Sequence, residues 1–316
     1  MKPSLQDYTD CRDAAWALLR RGDVEQACVG FEAARDIALL LADEEPELVD
    51  GAEVNLALAR VNAHEDELAE PGLREVLMRS NNPDVCRVAA QSLAKILSHR
   101  NEHEKARWFA REALRHAENL EDADQPEGAL KRQSCHTLLG LLAMNQSYLD
   151  EALEEYRKAL ALIEAHPLQD AERQDHFWAL STDSIGYALV MKGDLDEGLT
   201  HLRAALERAK TLDQGDLVAE IETDICFALL RMDRLDEAER HGLAARAIAE
   251  EEGFDFLRRN SYYLLGEIYS RRGDDRAADG YFRLLAEFFP ELGTEAIGDF
   301  FRVFDVSSMI NLKEFA

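Results

Sequence analysis

Long apolar runs are missing from this 316-residue chain, and with them any stretch of about 18 residues able to cross a bilayer as a helix. Residues 1–8 are too polar for a secretory leader. Cysteine is scarce. Cys11, Cys28, Cys86, Cys135 and Cys226 form an odd set at wide spacing with no CxxC pair, which reads as reduced thiols in a cytoplasmic protein. Only seven prolines interrupt the chain, so helices can run freely. Basic residues are outnumbered 36 to 63, and the formal net charge of −27 disfavours diffuse attraction to nucleic-acid phosphates or anionic lipid. No direct nucleic-acid partner and no membrane surface is therefore expected; a partner with basic residues is favoured.

Motifs that carry chemistry are absent as well. There is no GxxxxGK[ST], no GxGxxG after a strand, no HExxH and no GxSxG, and segments of strand character are lacking. His99 and His103 lie four apart, but a helix–helix turn at residues 100–102 keeps them off one helical face, so they read as solvated loop histidines and not as a metal pair. Glu154-Glu155 and Glu250-Glu251-Glu252 fall on exposed helix faces beside Arg and Lys at helical spacing. Asp183 and Asp224 are the carboxylates expected in a sheltered concavity, and they lack a convergent His, Lys or Ser. The expectation is no enzyme, no cofactor and no metal.

What is present is helical periodicity. Apolar residues make up 47% and charged residues 31%, enough to bury a large core. Turn-like segments recur at Arg21-Gly22-Asp23, Gly193-Asp194, Met232-Asp233-Arg234 and Gly273-Asp274. Beyond them, stripes at helical spacing follow: Ala27/Phe31/Ala34, Ala106/Ala110/Ala113, Ala152/Tyr156/Ala159, Gly198/Leu202/Ala205, Ala238/Gly242/Ala245 and Ala278/Phe282/Leu285. Upstream of the turns sits a matching pattern, Leu139-Gly140…Ala143, Ile185-Gly186…Leu189, Ile225-Cys226…Leu229 and Leu265-Gly266…Tyr269, whose small residues let neighbouring helices approach closely.

This pattern resembles the tetratricopeptide repeat, most fully in the last unit, where Tyr262, Leu265, Gly266, Tyr269, Gly273, Ala278, Phe282 and Pro290 fall in register. The resemblance implies an all-α fold, a right-handed superhelical solenoid of about seven antiparallel helix pairs over residues 1–292. The repeats are long: Ala106 to Ala152 and Ala152 to Gly198 are 46 residues each, and Gly198 to Ala238 and Ala238 to Ala278 are 40 each, against a usual length of about 34. That lengthening is similar to kinesin light chain and to bacterial quorum-sensing regulators that read short peptides. A degenerate second repeat is expected at about 47–80, with Leu56, Ala57, Ala69, Leu73 and Val76 in register. Pro71 fits only the first turn of a helix, so that repeat's second helix is expected to be short and to start near Leu68 or Ala69.

The resemblance also places a groove, because in this family the first helix of each pair lines the concave face. The inward positions are Thr137 and Leu141, Asp183 and Tyr187, Thr223 and Phe227, then Tyr263 and Glu267. Leu141, Tyr187 and Phe227 would form an apolar stripe, flanked by Asp183, Asp224 and Glu267, suited to a basic, amphipathic protein or peptide segment. Lys95, His99, Asn145, Arg231 and Arg271 near the inner helix ends could receive a carboxylate. The Lys/Asn set with which the family grips C-terminal carboxylates is not reproduced.

Residues 293–316 begin with an apolar capping helix bearing Ile297, Phe300, Phe301 and Phe304, followed by an extended-looking stretch with Ile310. This tail either folds back on the last repeat or pairs two copies through Phe300, Phe301, Phe304 and Ile310. The leading expectation is a non-catalytic protein- or peptide-binding adaptor; the alternatives are a ligand-responsive sensor acting through a partner and a structural homodimer. A helix-turn-helix at the front is not expected, since residues 1–20 already read as the first helix of a repeat.

Overall fold

The computed structural model describes residues 3–289 and Phe301. Among them are fourteen α-helices and no strand: α1 Leu5–Arg20, α2 Val24–Leu41, α3 Glu47–Asn62, α4 Asp66–Arg79, α5 Pro83–His99, α6 His103–Glu118, α7 Pro126–Asn145, α8 Leu149–Ala165, α9 Ala171–Lys192, α10 Leu195–Ala209, α11 Gly215–Arg231, α12 Leu235–Glu252, α13 Asp255–Arg271 and α14 Asp275–Ala286. They form two compact units, α1–α7 in the first and α8–α14 in the second. In each unit consecutive helices pack as antiparallel pairs, and each pair packs on the next.

One turn design recurs between the two helices of a pair. Gly22, His64, Asn101, Gly193, Asp233 and Gly273 all take a left-handed backbone, with φ of 80°, 58°, 58°, 102°, 58° and 76°. The residue after each donates its N–H to a carbonyl five residues back: Asp23 to Leu18, Glu65 to Arg60, Glu102 to Leu97, Asp194 to Leu189, Arg234 to Leu229 and Asp274 to Tyr269, at 2.8–3.1 Å. This satisfies a carbonyl orphaned at the end of the first helix and reverses the chain in three residues. A side chain at such a φ costs energy that glycine does not. Gly193→Ala is therefore expected to lower stability by about 1–2 kcal/mol. Gly51→Ala, inside α3 where an added Cβ meets nothing within 4 Å, is expected to raise it by up to about 1 kcal/mol. Urea midpoints of the two variants check the opposite signs.

Small residues twelve positions apart bring the two helices of a pair together: Ala15/Ala27, Ala57/Ala69, Ala94/Ala106, Gly186/Gly198, Cys226/Ala238 and Gly266/Ala278, all buried. Larger side chains fill the spaces between pairs. In the first unit Val54, Val61, Leu73, Val76, Leu93 and Ile96 form one cluster over α3, α4 and α5. In the second, Ile248, Phe254, Phe256 and Leu257 pack with Ala219 and Ala249 over α11, α12 and α13.

The second repeat is a full helix pair, and its second helix corrects the expectation drawn from Pro71. α4 starts at Asp66 and runs 14 residues, with Pro71 inside it. Proline there removes a single bond to the carbonyl of Glu67, and both residues face solvent, so water replaces the missing donor. Ser4 caps α1 with Asp7 in a reciprocal box, and Asn82 and Asp170 cap α5 and α9 through their side-chain oxygens.

Candidate functional site

Counting three residues back and one forward from the small residue of each first helix gives its inward pair. In the first unit these are Arg12/Trp16 on α1, Val54/Ala58 on α3, Gln91/Lys95 on α5 and Thr137/Leu141 on α7; all but Val54 remain partly open to solvent. In the second unit the equivalent pairs are Asp183/Tyr187 on α9, Thr223/Phe227 on α11 and Tyr263/Glu267 on α13. There Asp183, Thr223, Phe227 and Tyr263 are 0–2% exposed and Tyr187 8%, and only Glu267 is partly open.

The second unit brings several of the expected residues together. The rings of Tyr187 and Phe227 lie 6.1 Å apart across α9 and α11, tilted by 45°. Asp224 is 1% exposed beside Thr223, whose hydroxyl donates to the carbonyl of Ala219 at 2.7 Å. Tyr263 packs 6.4 Å from Phe282 of α14. As placed, Tyr187, Phe227 and Tyr263 are therefore buried side chains and not an open apolar stripe.

Arg231 and Arg271 do something the sequence did not announce. Arg231 Nη1 donates to the carbonyl of Val190 at 2.6 Å, and Arg271 Nη1 to that of Leu230 at 3.0 Å. Each guanidinium thus caps the end of the preceding repeat's first helix, where carbonyls lack helical partners and the helix dipole favours a cation. Arg231 also lies 5.9 Å from the Phe227 ring centre, and Arg271 pairs with Glu267 at 2.8 Å. The histidine expectation is corrected too. His99 ends α5 and its Nδ1 is 2.9 Å from Asp66 Oδ2, with the His64 ring 5.8 Å away, while His103 begins α6. Among the described residues no group of three His, Cys, Asp or Glu side chains is placed to hold a metal, and no helix is long and apolar enough to cross a membrane.

Gln91 was missed by reading inward positions only from the fourth repeat onward; the twelve-residue spacing from Ala106 back to Ala94 points to it. Its neighbour Lys95 is enclosed enough that burial pushes the ammonium down to about 8. Burial also pushes the Cys135 thiol up to about 12 and raises Cys226 further, which keeps both thiols protonated and unreactive.

A second missed cluster is Glu222 of α11, nearly buried, with Lys210 Nζ at 3.0 Å and His241 Nδ1 in direct contact. Burial by itself would raise the Glu222 carboxyl, but the hydrogen bonds and charges of His241 and Lys210 outweigh it and hold it below the ordinary value of 4.5. A carboxyl lowered on folding stabilises the fold above its unfolded pKa, and that contribution is lost as pH falls through the lowered value. The melting temperature is expected to drop between about pH 5 and pH 3, and Glu222→Gln is expected to flatten that acid limb while lowering the plateau at neutral pH. Thermal unfolding across this range decides it.

Two stretches match models of a known repeat family. Residues 217–291 match one tetratricopeptide-repeat model and residues 134–166 another. The chain carries tetratricopeptide repeats over these residues. No curated protein matches it by sequence. Among solved structures, the chain is similar to a Rap protein complexed with competence and sporulation factor, at 17% identity and a TM-score of 0.64 over 94% of this chain and 80% of that one. It is also similar to aspartyl phosphate phosphatase F from Bacillus subtilis, at 11% identity and 0.56 over 90% and 94%. A third is a signal transduction ATPase with a tetratricopeptide repeat sensor from Pyrococcus horikoshii, at 15% identity and 0.65 over 95% of this chain but 44% of that one. At these identities the likeness is one of fold.

Proposed function

We propose that this protein is a non-catalytic, cytoplasmic adaptor that holds a protein or peptide segment on the inward positions of its first helices. The observation that carries the reading is their register. Gln91, Lys95, Thr137 and Leu141 stay partly open while Ser92, Leu93, Ala94, Leu138 and Leu139 beside them are buried. Positions that repeat without serving the core are available to a ligand. A segment with basic and apolar residues suits the acidic chain and the Asp183, Asp224, Glu267, Tyr187 and Phe227 side chains of the second unit. Thr137, Thr223, Tyr263, Arg231 and Arg271 complete the candidate set.

A sensor reading, in which the bound segment is a signal, is supported by the fold shared with the Rap protein complexed with competence and sporulation factor. Pairing of two copies through the tail draws less support. Phe301 is 0% exposed within the chain, 5.9 Å from the Phe282 ring and 6.1 Å from Phe289. Phe300, Phe304 and Ile310 lie outside the described residues.

The test is affinity capture from the native extract with the intact chain and with Lys95→Gln/Leu141→Gln, uncharged replacements at two positions that are only partly open. A protein captured by the first bait and lost with the second, at unchanged helicity, supports the groove. Identical captured sets from both baits would overturn it.

A further inference from the structure

The position two residues after the small residue of each second helix faces water in all seven repeats. In the second unit it holds Glu154, Thr200, Arg240 and Gly280; in the first it holds Val29, Pro71 and Trp108. The change of chemistry extends beyond that row. Helices α2, α4 and α6 expose Val29, Leu39, Leu40, Leu68, Met78 and Trp108 by 53–80%, whereas among the described residues no large apolar side chain of α8, α10, α12 or α14 exceeds 38%. A single exposed leucine is ordinary, but such a cluster within one unit marks a contact surface. Polar bridges join its parts. Arg60 links Glu32 of α2 at 2.7 Å to the Leu68 carbonyl of α4 at 3.4 Å. Arg74 of α4 lies 5.6 Å from the centre of the Phe109 ring, which Trp108 of α6 meets edge to face at 4.8 Å.

We propose that this outer face of α2, α4 and α6 binds a second copy of the chain about a two-fold axis that crosses α4. Charge chooses the occupant. Residues 66–115 hold nine Lys and Arg against eight Asp and Glu, while the whole chain holds 36 against 63. The charges on this face are matched within it: Arg74 with Glu70, Arg79 with Glu75 and Asp50, and Lys105 with Glu102. A basic partner is steered to the acidic remainder of the chain, whereas two copies of a −27 chain repel where acidic surfaces meet and escape that cost through a neutral one. The outer face of α4 also reads alike in both directions. Glu67-Leu68 near its start and Met78-Arg79 at its end lie at equal distances either side of Leu73. An antiparallel copy therefore sets Leu68 against Met78 and Glu67 against Arg79 on both sides of the axis, the self-complementary arrangement a two-fold requires. Six side chains at these exposures offer on the order of 400 Å² of apolar surface, comparable with the apolar part of the ~800 Å² that each partner buries in a standard interface.

The dimer is independent of the groove reading, since second helices carry it and the inward positions lie on first helices. Sedimentation velocity of the full chain, from nanomolar to high micromolar concentration, tests it. The unaltered chain is expected to reach twice its 35.7 kDa. Leu68→Glu/Met78→Glu is expected to weaken self-association by about a hundredfold or more, because it sets carboxylates into the apolar centre of the contact. Leu243→Glu on α12, also at an exposed position, is expected to leave it unchanged. A chain that stays monomeric throughout, a dimer that survives the double substitution, or one that Leu243→Glu disrupts equally overturns the proposal.

A second arm covers loss of folding in the glutamate variant and introduces no charge. Leu68→Cys/Met78→Cys puts thiols where antiparallel copies meet. Ten residues of helix hold the two about 15 Å apart within one chain, too far for a disulfide between them. Mild oxidation is expected to give a covalent dimer in excess of any formed by the unaltered chain with its own five cysteines. Cross-linking no greater than that of the unaltered chain overturns the proposal.

Discussion

Phe227→Ala is expected to destabilise the second unit by about 3–5 kcal/mol. The ring is 0% exposed one turn before the end of α11, faces Tyr187 at 6.1 Å and carries the Arg231 guanidinium at 5.9 Å. Truncation to alanine removes its transfer energy and leaves a cavity between α9 and α11 that two helices tied by the Arg231–Val190 bond cannot close. Because each repeat is stable only against its neighbours, the loss spreads to the adjoining pairs. Leu141→Ala, at the equivalent position of α7 but partly exposed, is expected to cost much less. A fall in the urea midpoint at unchanged slope checks the first, and a near-normal midpoint the second. One consequence concerns binding tests: a Tyr187→Ala/Phe227→Ala chain would lose capture by unfolding, so Lys95 and Leu141 are the better probes.

Most of the fold was legible because repeats state each constraint several times over. Gly22, Gly193 and Gly273 announce turns by being the residue a left-handed backbone prefers, and the small residues before and after them announce close helices. Where the same turn is built with His64 or Asn101, no glycine marks it, and the register of the flanking alanines must carry the inference. The start of α4 was misread because a proline rule for helix interiors was applied to an exposed second turn, where the cost is one solvated bond.

The site was legible only as a set of positions. Counting from Gly186 and Cys226 places Asp183, Tyr187, Thr223 and Phe227 on the inward side, but whether that side is open depends on what packs across it, which is a long-range fact. The same holds for Arg231 and Arg271. Their spacing is periodic, yet their bonds go to carbonyls 41 residues earlier in the chain, and no local pattern distinguishes a capping arginine from one that awaits a carboxylate.

The approach of α10 to the backbone of α9 gives the other large expected effect. A Cβ added at Gly198 would lie 2.7 Å from Val190 Cγ2, 2.8 Å from the carbonyl oxygen of Gly186 and 3.0 Å from the Val190 nitrogen. Two of these three are backbone atoms of α9, so relief requires the whole α9–α10 pair to part. Gly198→Ala gains about 1 kcal/mol of helix propensity and still is expected to lose overall, while Gly198→Leu, with more atoms to place in the same gap, is expected to cost about 3 kcal/mol. Gly242 offers the control. Its nearest neighbours are the Cys226 Sγ and Leu265 Cδ2 at 3.1 Å, side-chain atoms that can turn aside, so Gly242→Ala is expected to be nearly neutral. If thermal unfolding ranked Gly242→Ala as severe as Gly198→Ala, contact with backbone would not be what limits these positions. If Gly198 alone is intolerant, the α9–α10 approach depends on a bare backbone at that position, and the repeat register there is fixed by it.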